Sequence, residues 1–355
     1  MVITVDHLLD KLYEKNQLSK EELIYVLENI HEDSKKKLFY YARKTRDGYY
    51  GNKVFMRGLI EFSNICKMDC LYCGLRSSNN NASRYRLTKE EILDCCIEGY
   101  KLGFRTFVLQ SGEDPWYTED RMVDIIKSIK SKFPDVAITL SIGEREEEEY
   151  KSFFHAGADR YLLRHETASR SLYDKLHPHA SFDNRINCLK VLKEIGYQVG
   201  AGFMVGLPEQ SHEDLVEDLI FLKSLNPHMI GIGPFIPHSE TPLANAKGGT
   251  VEDTLVMIAL TRLMVPDGLL PATTAMGSIH PKGRELALQA GANVVMPNLS
   301  PTSVRPKYEL YENKICVEDN AGHCRYCIEN RIKSIGMVLD TSRGDHWKYS
   351  QAKAL

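Results

Sequence analysis

Three cysteines, Cys66, Cys70 and Cys73, stand at the spacing CxxxCxxC directly after an apolar, β-branched run. Thiolates so spaced are metal ligands, and their number narrows the metal. A structural zinc site closes with four protein ligands, and no fourth Cys or His stands at suitable local spacing. A [4Fe–4S] cluster held by three thiolates instead leaves one iron open to a non-protein ligand. A second group, Cys316, Cys324 and Cys327, is spaced Cx7CxxC with His323 adjacent. Zinc through Cys316, His323, Cys324 and Cys327 is one chemistry open to it, since Cys3His is an accepted structural set. Cys95, Cys96 and Cys188 fall in helical stretches, where neighbouring side chains point about 100° apart, and are read as buried packing. His177, His179, His228 and His238 lack a consistent partner spacing and are assigned to no metal.

These groups need elements to position them. Eight short β-rich runs recur along the 355 residues, each followed by a stretch with helical apolar spacing. They are Val54 to Ser63, Thr106 to Ser111, Val136 to Ile142, Asp159 to Arg164, Gln198 to Val205, Met229 to Ile236, Leu270 to Met276 and Asn293 to Pro297. Parallel strands joined by right-handed crossovers follow, and the fold class predicted is α/β, a (β/α)8 TIM barrel. An open doubly wound sheet would carry a GxGxxG turn after its first strand, which is absent. Gly157 and Gly291 stand where helix C-caps are needed, and Thr88 with Glu91 and Ser211 with Asp214 fit capping boxes. The run Arg145 to Glu149 reads as a solvated helix start. Residues 1–50 are expected to form an N-terminal helical extension, 51–300 the barrel and 301–355 a short C-terminal segment carrying the second cysteine group. The Cys66 triad then lies at the C-terminal face, where barrel active sites are built.

Composition excludes other classes. The charge sum is 45 − 48 = −3 with both signs interspersed, so nucleic acid is not an expected partner. No apolar run approaches the ~20 residues that span a bilayer, and no signal peptide is evident, which predicts a cytoplasmic protein. Nine cysteines in such a chain argue for reduced thiols rather than a disulfide framework.

On these residues the chain resembles the radical S-adenosylmethionine (SAM) superfamily. The resemblance implies that Cys66, Cys70 and Cys73 hold a [4Fe–4S] cluster whose open iron is chelated by SAM, cleaved reductively to a 5′-deoxyadenosyl radical. No side chain is assigned the radical chemistry itself. Tyr72 matches the position whose backbone contacts adenine, and Ser111-Gly112-Glu113 resembles the GGE motif near the methionyl amine. Gly202 to Glu209 matches GxIxGxxE with Met204 in place of the usual Ile. Arg164 and Glu166 end the fourth strand, Arg185 follows, and an Arg suits a bidentate grip on the cofactor carboxylate.

Longer strings, among them Cys70 to Arg76, Leu109 to Pro115, Tyr161 to Thr167, Gly231 to His238 and Ala292 to Asn298, are similar to the HydE family of [FeFe]-hydrogenase maturases. That family resembles biotin synthase and methylornithine synthase in architecture. By this likeness Thr139, Arg164, Glu166 and Arg185 bind the cofactor, and Ser111, Thr273, Thr274 and Tyr308 line an anion or substrate cavity. Thr273 and Thr274 equally suit β-formers completing strand seven. The implied substrate is an organometallic iron complex bearing carbon monoxide, cyanide and cysteine, delivered by the maturase HydG, with the product passed to the scaffold HydF. A reductase or ferredoxin is the implied electron donor. Cys316, Cys324 and Cys327 would then hold an auxiliary [2Fe–2S] or [4Fe–4S] cluster, unnecessary for the radical chemistry, with zinc and free thiols as alternatives. Two other functions stay open: a methylornithine synthase- or biotin synthase-like enzyme acting on a small organic substrate, and a non-catalytic iron–sulfur carrier.

Overall fold

All six residues of Gly58–Ser63 are buried, as expected of a parallel strand covered on both faces. Thr106–Ser111, Ala137–Ser141, Arg160–Leu162, Gln198–Ala201 and Met229–Ile230 follow in chain order, each paired in parallel with the strand before it. Single bridges carry the circuit onward from Met229 to Leu269, from Pro271 to Val294 and from Asn298 to Leu59. The computed structural model, which describes residues 4–352, is thus an α/β protein built on a closed (β/α)8 barrel.

Local chemistry sets the element ends. Capping boxes start helices Lys89–Lys101 and His212–Leu225 at Thr88 and Ser211. Gly157, at φ 115°, ends helix Glu147–Ala156, a conformation that glycine adopts without a Cβ clash. One expectation needs correction. The seventh run does not stay extended to Met276, because Thr273 caps a short helix, Thr274–Ile279, its Oγ1 accepting the Met276 N–H at 3.4 Å. A Thr at that point satisfies a free helical donor, which outweighs its β preference. The stretch Arg145 to Glu149 forms the expected solvated helix start, with Glu146, Glu147 and Glu148 exposed, while Arg145 and Glu149 pair at 3.2 Å beside a surface cavity.

The N-terminal helices Val5–Lys15, Lys20–Asn29 and Glu32–Tyr50 bury Leu8, Leu9, Leu12 and Leu23, and Leu27 packs against the same core. Glu32–Tyr50 lies along helix Val251–Met264, whose residues from Thr254 onward are all buried. At the opposite end of the chain, Val338–Asp340 pairs with Lys53–Met56, which also pairs with Val294–Val295. The segment that follows crosses the barrel floor. Asp345 accepts from the fully buried Arg160 at 2.7 Å and from Gln198 at 3.0 Å, while Thr106 donates to the Arg343 carbonyl at 2.7 Å. Thr106, Arg160 and Gln198 each begin a strand, so the strap seals the face opposite the Cys66 loop.

Candidate active site

The loop after Gly58–Ser63 carries Cys66, Cys70 and Cys73, and its shape is held by charge. Asp69 accepts from Arg76 Nε at 2.8 Å and Ser78 Oγ at 2.6 Å. The Arg76 guanidinium keeps the Asp69 carboxyl far below the usual range. Arg84 donates to the carbonyls of Asn64, Leu75, Arg76 and Asn79, tying together a segment with no strand or helix of its own. Burial pushes all three thiols up, Cys73 to about 12, and Cys66 raises both Cys70 and Cys73 further, as Cys73 does Cys70. Thiols so placed would ionise on binding a cluster, whose irons supply the positive charge the thiolates need.

From Cys66 a polar chain runs across the barrel mouth. The Glu113 N–H donates to Cys66 Sγ at 3.3 Å, and Glu113 Oε1 accepts the Glu144 N–H at 3.0 Å. Glu144 Oε1 accepts from Arg185 Nε at 2.5 Å, and Arg185 donates on to the Arg164 carbonyl at 2.8 Å. Arg164 meets Glu166 at 3.3 Å, a charge contact without hydrogen-bond geometry. Arg164 Nε, Glu166 Oε2 and Thr139 Oγ1 are buried and lack hydrogen-bond partners among the described residues. Leaving such groups unpaired is costly, and Arg164 with Glu166 presents a donor beside an acceptor, a pair that suits a zwitterionic ligand.

Tyr72 and Met204 share an apolar patch with Leu172, Leu176 and Phe235, suited to an aromatic base. The Tyr72 hydroxyl pairs with His177 Nε2 at 2.9 Å. Because His177 Nδ1 must donate to the Tyr173 carbonyl, 2.9 Å away, Nε2 is the acceptor and the tyrosine the donor. Leu71 N–H also donates to the Leu176 carbonyl at 3.0 Å, so helix Arg170–Leu176 and His177 brace the cysteine loop. Outside the loop lies a cavity of about 570 Å³ bordered by Lys67, Glu113, Glu119, Glu144, Glu146 and Glu149, a predominantly acidic approach suited to a cationic ligand.

The four residues expected to line a substrate cavity make different local contacts. Ser111 Oγ donates to the Gly112 carbonyl at 2.6 Å, and Tyr308, wholly buried, accepts from Gln110 at 3.3 Å. Thr273 is spent on its helix cap, with Gly233 close beside it. Thr274 faces the second cysteine group, where Arg284 donates to it at 3.4 Å. That group comprises Cys316, at φ 64°, with Cys324 and Cys327 on helix Ala321–Ser334. Arg284 approaches Cys316 Sγ at 3.7 Å and Arg305 approaches Cys324 Sγ at 3.7 Å. His323 is 67% exposed and turned to Asp319 at 3.5 Å. Among the described residues no three His, Cys, Asp or Glu side chains focus on a single ion, so the mononuclear zinc set through His323 is not assembled. The same holds at Cys66, Cys70 and Cys73, where a cluster, unlike one ion, distributes its ligands over several irons. Cys95, Cys96 and Cys188 are buried.

Comparison with known proteins decides the family. Residues 60–222 match the Radical SAM superfamily. The [FeFe] hydrogenase maturase subunit HydE of Thermotoga maritima is 50% identical over 334 residues, covering 94% of this chain and 95% of the relative. The chain belongs to the radical SAM superfamily. This radical SAM enzyme is also 34% identical to 3-methylornithine synthase of Methanosarcina acetivorans, with 82% of each chain covered. The crystal structure of methylornithine synthase (PylB) superposes on it with a TM-score of 0.84 at 30% identity, over 97% of this chain and 99% of that one. Family membership implies a [4Fe–4S] cluster and SAM, and the three thiols and the unpartnered Thr139, Arg164 and Glu166 atoms fit them. Among the described residues no helix is long and apolar enough to cross a membrane.

Sequence reasoning weighed His177 only as a metal ligand and did not single out Glu144, Asp69 or Arg84. Asp69 lies inside the CxxxCxxC string and was visible there, and Arg84 ties the residues just before it. Glu144 and His177 act through segments distant in sequence, which no local spacing signals.

Proposed function

We propose that this enzyme is a maturase of the HydE kind, acting in the cytoplasm on an organometallic iron complex during assembly of the [FeFe]-hydrogenase di-iron site. HydG, HydF and a ferredoxin or reductase would be its partners. The observation that carries the reading is the Arg164–Glu166 contact, with unpaired atoms on both side chains and Glu166 close to Cys70 and Cys73, in a chain half identical to a hydrogenase maturase.

When bound, the cluster and SAM supply a one-electron reduction and carbon-radical chemistry. The protein's part is positioning and exclusion of water. Arg164 would hold the cofactor carboxylate, Glu166 its hydroxyl or ammonium groups, and Thr139 a further polar atom. Arg185, steadied by Glu144 and the Arg164 carbonyl, would bind the cofactor beside them. Gly112 and Glu113 bring backbone against the cluster loop, while Tyr72 and Met204 would flank the adenine. Ser111 and Tyr308 would line the substrate cavity. Cys316, Cys324 and Cys327, attended by Arg284 and Arg305, would bind an auxiliary cluster of [2Fe–2S] or [4Fe–4S] type.

In vitro maturation tests the reading. Apo-hydrogenase incubated anaerobically with HydG and HydF should gain hydrogen-evolving activity only when this protein and SAM are added. Failure to activate, together with formation of 3-methylornithine by the same preparation, would favour the synthase-like reading that the methylornithine synthase likeness supports.

A further inference from the structure

We propose that the buried His165–Asp218 pair is a positioning device for SAM, locking together the two strand ends that carry Arg164, Glu166 and Met204. The proposal rests on the reading of Arg164 and Glu166 as cofactor-binding residues.

Both side chains are completely buried and lie 3.0 Å apart. The Gly202 N–H donates to His165 Nδ1 at 3.2 Å, so that nitrogen carries no proton, and Nε2–H is the donor to Asp218 Oδ1. The same oxygen accepts the Ala168 N–H at 2.6 Å. Burial, with Arg164 and Arg185 nearby, drives protonation of the imidazole far down, and burial pushes the Asp218 carboxyl up. The pair therefore adds directed bonds to the core.

The bonds converge on one junction. Glu166 stands at φ 67°, a conformation rare for a non-glycine residue that persists where surrounding contacts over-determine it. Its N–H donates to the Gly202 carbonyl at 3.0 Å, and its carbonyl accepts the Met204 N–H at 3.1 Å. Gly202 is thus gripped at its N–H by His165 and at its carbonyl by Glu166. A Cβ there would lie 2.0 Å from the Gly231 carbonyl, so the junction has no slack toward the next strand. Asp218, on helix His212–Leu225, holds the far side through both His165 and Ala168. Leu163 and His165 are buried whereas Arg164 and Glu166 are only partly so, so holding His165 against helix His212–Leu225 keeps its two neighbours on the other, more accessible side. A pair of apolar residues would fill this space at lower desolvation cost but would make none of these links.

The test is SAM binding by the cluster-loaded protein, read from the change SAM causes in the electron paramagnetic resonance of the reduced cluster. Asp218→Leu keeps the volume and deletes the acceptor; Asp218→Asn keeps Oδ1. Iron content is measured alongside. Asp218→Leu should raise the SAM dissociation constant about tenfold or more at unchanged iron content, and Asp218→Asn should stay within about threefold of the parent. Equal affinity in parent and Asp218→Leu, or equal losses in both variants, overturns the proposal. Should Asp218→Leu not fold, Asp218→Ser, whose hydroxyl falls short of His165, is read in its place with the same outcomes. A parent protein that binds no SAM would instead refute the cofactor reading.

Discussion

A methyl group on Gly112 would lie 2.7 Å from Cβ of Cys66, and 2.3 Å from the carbonyl oxygen of the preceding Ile65. The second strand therefore ends against the cysteine loop with space for backbone alone, and the Glu113 N–H reaches the Cys66 sulfur as a result. Gly112→Ala should displace Cys66 at an overpacking cost of about 1–3 kcal/mol. Reconstituted iron per chain should fall, whereas Gly48→Ala, with nothing within 4 Å of its new Cβ, should retain the parent's value.

The two cysteine groups should separate by function. Cys70→Ala is expected to abolish 5′-deoxyadenosine formation, because the remaining two thiols cannot hold the cluster. Cys324→Ala should change iron content and the visible spectrum but leave the rate of SAM cleavage within about twofold, a margin below 1 kcal/mol. Product chromatography of both variants, side by side, checks this.

Arg164 and Glu166 should act on cofactor affinity. Arg164→Lys retains the charge but loses the planar fork, and its KM for SAM should rise about tenfold or more, since charged hydrogen bonds are worth roughly 1.5–3 kcal/mol. Glu166→Gln should behave similarly. A rise in KM for SAM accompanied by an unchanged cluster spectrum distinguishes these from cluster defects.

The floor strap predicts a stability effect remote from the chemistry. Asp345→Ala would leave Arg160, fully buried, without its carboxylate. Breaking a buried pair in this way costs about 3–5 kcal/mol. Thermal unfolding should begin several degrees lower, while SAM cleavage per loaded cluster should be unaltered.

His177 gives a pH dependence of known sign. Burial lowers its pKa from the ordinary 6.5 to about 4, so between those values the unfolded chain binds the extra proton. Stability is therefore complete above about 6.5 and is lost as pH falls toward 4, by up to about 3 kcal/mol. His228, lowered to about 3, adds a parallel loss. The difference in unfolding midpoint between pH 7.5 and 5.5 should shrink in His177→Gln without vanishing.

The β-branched runs predicted the barrel because burial on both faces forces apolar composition on parallel strands, a constraint written locally in the chain. CxxxCxxC was legible for a similar reason, its ligands lying within eight residues. Thr273 was ambiguous, since its hydroxyl serves a cap and its branching serves a strand. The Cys66–Glu113–Glu144–Arg185 connection and the His165–Asp218 pair were not legible at all. Each joins residues 31 to 53 positions apart, and only barrel closure makes them neighbours.

The most direct measurement is 5′-deoxyadenosine formed by the anaerobically reconstituted, fully iron-loaded protein given reductant, SAM and the iron–carbonyl–cyanide–cysteine complex. The expected result is nucleoside that depends on Cys70 and is accelerated by the complex. No nucleoside from a loaded sample, while a known radical SAM enzyme produces it in the same assay, would contradict the reading.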